Sequence, residues 1–167
     1  FKSYFTDVND YKPLLEGIKK VEEKKPENPR QASDKSVSLQ ALKRMMELQL
    51  ERCFIDLSYE AIKPDTKDIA IRNVNLGISP DLVFKAKIKG QTAYGGIKVH
   101  LSKNKPFSLN QCEYVSTVLM RYIKRNIAGP DNIVLPHLCL CIDVFGGRMV
   151  PAKDDGGKTI KEIQGIC

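Results

Sequence analysis

The chain has 167 residues, 42% of them hydrophobic and 28% charged, which suits one globular domain able to bury its own core. No apolar run in it approaches the length needed to cross a bilayer, so no membrane-spanning helix is expected within it. The net charge of +7, from 27 basic and 20 acidic residues, directs attention to anionic partners.

Taken in chain order, Tyr11, Leu14, Leu15, Ile18 and Val21 recur at helical spacing, and Pro13 sits where a first turn tolerates proline. The following KKPENPRQASDKS carries two prolines and almost no apolar residue, so it reads as a flexible linker or long surface loop. Residues 1–35 are therefore expected to form an N-terminal helix and linker, and 36–167 the core domain. SVSLQALKRMMELQLERCF predicts a helix capped by Ser36 or Ser38, with Leu39, Leu42, Met46 and Leu50 along one face. IAIRNVNLGISPDLVFKAKI reads as strand-like pieces broken by Asn and Gly. QTAYGGIKVHLS predicts a strand whose Ile97, Val99 and Leu101 alternate with Gly96, Lys98 and His100.

SLNQCEYVSTVLMRYIKRN predicts a second helix. Ser108 and Gln111 form an S-x-x-Q capping box, and Phe107 and Cys112 occupy hydrophobic-staple positions. Gln111 is thereby explained without a functional role. Val115, Val118, Leu119 and Tyr122 form the core stripe, and Gly129-Pro130 ends the segment. IVLPHLCLCIDVF reads as a buried strand, and Gly146-Gly147 as a hairpin into RMVPA.

The five cysteines, Cys53, Cys112, Cys139, Cys141 and Cys167, make no C-x-x-C pair. Their odd number argues for a reducing compartment, so a cytoplasmic location is expected. Cys139 and Cys141 would share one strand face as small hydrophobes. His100 and His137 lack zinc-ligand spacing with them.

Charge is concentrated. Between Lys85 and Arg125, nine lysines and arginines stand against Glu113 alone, a local excess of +8 in a chain whose total is +7. Such a run is either a solvated surface or a phosphate-binding face, and its confinement to one segment favours the second. Lys98, His100, Lys103, Lys105 and Arg121 are its candidate nucleic-acid contacts.

ISPDLVF, a hairpin-like stretch and then GGIKVH resemble the core of the PD-(D/E)XK nuclease superfamily. The resemblance covers roughly Ser36 to Val150. It implies an α/β fold with an αβββαβ core, a mixed sheet flanked by helices, here with an extra N-terminal helical segment. Phosphodiester hydrolysis in that family needs a metal, usually Mg²⁺, held by carboxylate oxygens, with a lysine beside it to orient water or stabilise charge. By resemblance, Asp81 is the metal carboxylate and Lys98 the catalytic lysine. The second carboxylate of the motif falls at Gly96. Glu113 is the expected replacement for both the metal and the chemistry, with Glu47, Glu51 and Asp143 as other candidates. Plainer roles stand beside these: a turn residue at Asp81 after Pro80, a solvated lysine at Lys98, an exposed histidine at His100, and a solvated helix face for Glu47 and Glu51. Asp143, amid Leu140, Ile142, Val144 and Phe145, should be paired or edge-exposed. Gly96 could leave room for a phosphate beside Lys98 without a metal.

Three functions follow as expectations: a metal-dependent nuclease acting on DNA or RNA, a catalytically inactive relative that binds nucleic acid, and a scaffold whose lysines meet an acidic protein.

Overall fold

The computed structural model describes residues 3–54, 57–71, 74–154, 157, 159 and 161. After a 3-10 turn at Tyr4–Thr6, helix α1 spans Lys12–Glu22 and α2 spans Pro29–Glu47. The strands that follow are β1 (Tyr59–Ala61), β2 (Asp68–Ile71), β3 (Val74–Gly77), β4 (Leu82–Ile88) and β5 (Gln91–His100). Helix α3 covers Leu109–Asn126, and β6 (Ile133–Asp143) and β7 (Arg148–Pro151) close the order. Among the described residues, no helix is long and apolar enough to cross a membrane.

Helix α2 begins at Pro29, ahead of the expected start at Ser36 or Ser38. Asn28 is the true N-cap: its Oδ1 accepts from Gln31 N–H at 2.9 Å, and Gln31 Oε1 accepts in turn from Glu27 N–H at 2.8 Å. Pro29 suits the first helical position because its missing N–H is an unpaired donor there anyway. The first turns of α2 are solvent-exposed, which is why their sequence lacks apolar residues. Lys35 on α2 donates to the Glu22 and Lys24 carbonyls at 2.6 and 2.7 Å, placing a cation on the C-terminal end of α1. The segment ahead of residue 36 also feeds the main core, since Tyr4, Phe5, Val8 and Leu14 are buried in one cluster with Phe84, Ile97 and Ile142.

The main sheet is mixed, with order β1-β4-β5-β6-β7. All its neighbours are antiparallel except β5 and β6. That pair is parallel because α3 lies between them in the chain and carries it back to the same end. Lys89 and Gly90 turn β4 into β5 with φ of +49° and +83°, two positive values as a type I′ hairpin requires. Among the described residues, strands β2 and β3 pair only with each other. They are held on α3 by Arg125 Nη1 donating to the Ala70 carbonyl (2.9 Å), Asn126 Nδ2 to the Asp68 carbonyl (3.1 Å) and the Tyr122 hydroxyl to the Thr66 carbonyl.

Period-two alternation divides the sheet into two faces. Leu82, Phe84, Ile97, Val99, Leu140 and Ile142 pack with Ala41 and Met45 of α2 and with the N-terminal residues. Val83 and Cys139 face the other way, against Leu119, Met120 and Ile123 of α3. The capping box of α3 forms as expected, with Ser108 N–H donating to Gln111 Oε1 at 2.8 Å and Gln111 N–H to Ser108 Oγ at 3.2 Å. Phe107 and Cys112 meet in a small cluster with Cys141 and Val150.

Candidate functional site

The β5 side chains on the α3 side are Gly96, Lys98 and His100, and the parallel register sets them beside Cys139, Cys141 and Asp143 of β6. Asp81 lies just ahead of β4. Its N–H donates to the Ile97 carbonyl at 2.9 Å. Its Oδ2 accepts from the Val99 N–H at 2.8 Å and from Lys98 Nζ at 3.0 Å. Lys98 Nζ also donates to the Ser79 carbonyl at 2.8 Å. The motif acid and lysine therefore meet, as their spacing suggested, as a clasp that extends the β4–β5 ladder: one carboxylate oxygen of Asp81 takes both the Lys98 ammonium and the Val99 N–H.

Gly96 does point to the Lys98 side, yet it leaves no vacancy there. A Cβ at this position would lie 2.8 Å from Ile123 Cδ1 and 3.0 Å from the Leu82 carbonyl oxygen. The space directly over Gly96 is filled by α3, because the missing side chain is what lets the helix approach the sheet, and the open space beside Lys98 lies instead toward Ser79, His100 and Phe107.

The expected second acid is engaged elsewhere. Glu113 Oε2 pairs with Lys153 Nζ at 2.8 Å, its side chain only 16% exposed. Glu47 lies on the exposed surface of α2, and the side chain of Glu51 and the whole of Cys167 lie outside the described residues. Among the described residues, no group of three or more His, Cys, Asp and Glu is placed to hold a metal ion. The described donors at Asp81 and Glu113 do not fit Mg²⁺, which demands several oxygens in near-octahedral geometry.

Asp143 is fully buried and resolves its oddity by pairing. Its Oδ2 accepts from the Phe107 N–H at 2.8 Å and its Oδ1 from the Gly146 N–H at 3.1 Å, with Arg148 Nη1 at 3.7 Å. Arg148 Nη1 donates to the Phe107 carbonyl. A Cβ on Gly146 would collide with Asp143 Oδ2, so glycine is obligatory in this turn. This carboxylate is an anchor for the β5–α3 loop. His100 anchors the same loop: its ring stacks on Phe107 with centroids 3.6 Å apart and planes 9° apart, and its Nε2 donates to the Lys105 carbonyl at 2.8 Å. The loop thus held carries Lys103 and Lys105, both exposed.

Between the sheet and the start of α3 lies a cleft of about 200 Å³, lined by Ser79, Lys98, His100, Phe107, Val115 and Leu119. Arg121 is exposed on α3, near Gly157, and is not among the residues of this cleft. Burial pushes the Cys139 thiol up to about 12 and raises Cys112 and Cys141 as well. All three therefore stay neutral at neutral pH, consistent with packing and not with nucleophilic or ligating roles. Sequence reasoning placed Phe107 as a helix staple but missed its bond to Asp143, and missed Arg148 and Lys153, whose partners lie 36 or more residues away and leave no local pattern. Comparison with family models, with curated proteins and with solved structures returns no match.

Proposed function

We propose that this protein binds nucleic acid through the basic β4–α3 segment, on a PD-(D/E)XK-like core that no longer assembles a metal site. The observation that carries the reading is where the basic residues fall. Lys85, Lys87 and Lys98 alternate onto the α3 side of the sheet, with Val83 and Gly96, and Lys103 and Lys105 are exposed on a loop held by His100 and Asp143. The acids that would supply metal ligands are spent on Lys98 and Lys153. The order of elements supports the same reading: α2, β1, β4, β5, α3 and β6 give the αβββαβ sequence, with β2–β3 inserted and β7 added at the edge.

The test is fluorescence anisotropy with labelled oligonucleotides across a salt series, on the parent and a Lys103→Gln/Lys105→Gln variant. A protein that neutralises fewer phosphates releases fewer counterions. The variant therefore binds more weakly, and its slope of log K against log salt shrinks by about 0.7–0.9 for each phosphate it no longer neutralises. Equal slopes would overturn the reading. The parent leaves the oligonucleotides intact in Mg²⁺ or Mn²⁺; cutting that Asp81→Asn abolishes would establish a metal-dependent phosphodiesterase instead.

A further inference from the structure

A second groove lies on the α3 side of the sheet, at the end where β4 turns into β5. Its volume is about 790 Å³, within the range of small-molecule sites, and Lys85, Lys87, Thr92, Tyr94 and Asn132 line it together with Glu60 of β1. The register explains the surface: Lys85 stands opposite Tyr94 and Lys87 opposite Thr92, so one aromatic ring and two ammonium groups share a single sheet face. Lys87 Nζ donates to Thr92 Oγ1 at 2.8 Å. Lys85 Nζ pairs with Glu60 at 3.0 Å, but both side chains are well exposed, at 41% and 71%. Such a pair contributes little and yields readily to a phosphate. Tyr94 is half-buried, packed against the α3-side core cluster while it lines the groove.

We infer that this groove is a single-strand subsite, in which one nucleobase stacks on Tyr94 while the flanking phosphates meet Lys85 and Lys87. The inference rests on the nucleic-acid reading above and names the substrate class within it. An aromatic on an open sheet beside lysines suits unpaired bases, because a duplex hides the base faces that a ring must stack on. Thr92 and Asn132 add hydrogen-bonding groups at the rim.

The experiment uses a labelled oligothymidylate, with inorganic polyphosphate as a competitor that has charge but no base. Four proteins are compared: the parent, Tyr94→Leu, Lys85→Gln/Lys87→Gln and Lys103→Gln/Lys105→Gln. Leucine keeps the apolar packing of residue 94 and removes the ring. Tyr94→Leu weakens oligothymidylate about ten-fold or more, the size of one base–aromatic stack, and leaves polyphosphate competition unchanged. Lys85→Gln/Lys87→Gln weakens both ligands. A bromouridine-substituted strand irradiated on the parent attaches at Tyr94, a readout that does not depend on any variant folding. If only the Lys103→Gln/Lys105→Gln variant weakens binding, and the crosslink falls outside the groove, this inference is overturned while the broader reading stands. If the parent binds no oligonucleotide, both fall together. An acidic protein partner would be recognised by weaker binding of the lysine variants with no effect of Tyr94→Leu, and would overturn the subsite.

Discussion

Gly96 is the position where the sequence resemblance and the packing pull in opposite directions, and a methyl group there measures which prevails. In Gly96→Ala the new Cβ lies 2.8 Å from Ile123 Cδ1, 3.0 Å from the Leu82 carbonyl oxygen and 3.5 Å from Leu119 Cδ2. Ordinary carbon contacts begin near ~3.5 Å. The Ile123 tip can swing away only within a fully buried layer, and the carbonyl is fixed in the β4–β5 ladder. Overpacking of this kind costs about 1–3 kcal/mol, offset by about 0.4–1 kcal/mol from the reduced freedom of the unfolded chain. At mid-range the net is about 1.3 kcal/mol, or a fall in Tm of roughly 3–5 °C at this chain length. Ile123→Val deletes the Cδ1 that the methyl meets and alone costs about 1 kcal/mol. The double variant should then lose about 0.5–1 kcal/mol less than the two singles combined. Urea melts followed by far-ultraviolet circular dichroism measure all three. A Gly96→Ala midpoint equal to the parent's, or strict additivity with Ile123→Val, would refute the packing argument. Gly96→Glu extends the test to function: its carboxylate enters a layer formed by Leu119 and Ile123, costs several kcal/mol, and brings no gain in Mg²⁺ affinity by calorimetry.

Two further outcomes follow from the buried groups. Asp143→Ala strips the acceptor from the Phe107 and Gly146 N–H groups and should cost about 3 kcal/mol or more. The β5–α3 loop should then exchange its amide hydrogens faster than the sheet does, and unchanged exchange at Phe107 would contradict the anchor role. Burial raises Cys139 from 9.0 to about 12, and burial followed by the nearby Asp7 charge raises Tyr59 from 10.0 to about 12. The fold thus keeps protons that the unfolded chain releases, so stability is full below about pH 9 and declines as pH rises from there toward about 12. Urea midpoints taken over that window should fall less steeply in Tyr59→Phe and Cys139→Ala, and parallel declines in all three proteins would exclude these groups as the cause.

Several features were legible in the residues alone because each is decided within one turn or one strand. The start of α3 follows from Ser108 and Gln111, three residues apart. Period two placed Cys139 with Cys141, and Gly96 with Lys98 and His100, on shared faces. The β6–β7 hairpin was signalled by its paired glycines, and the meeting of Asp81 with Lys98 by their places on neighbouring strands. The start of α2 was also local, yet Asn28-Pro29 was read as loop because the exposed first turns carry no apolar stripe to mark them as helix.

The site itself was decided at longer range. Nothing near Glu113 announces Lys153, nothing near Asp143 announces Phe107, and the sequence around Gly96 does not reveal that Ile123 occupies the space above it. The resemblance paired an acid with a lysine but could not tell a metal ligand from a clasp, since that depends on which other donors reach the same oxygens. Local propensity and alternation fix where a side chain points. Whether its charge is free for a ligand or already neutralised depends on partners that the fold brings together from dozens of residues away, and on how closely α3 settles against the sheet.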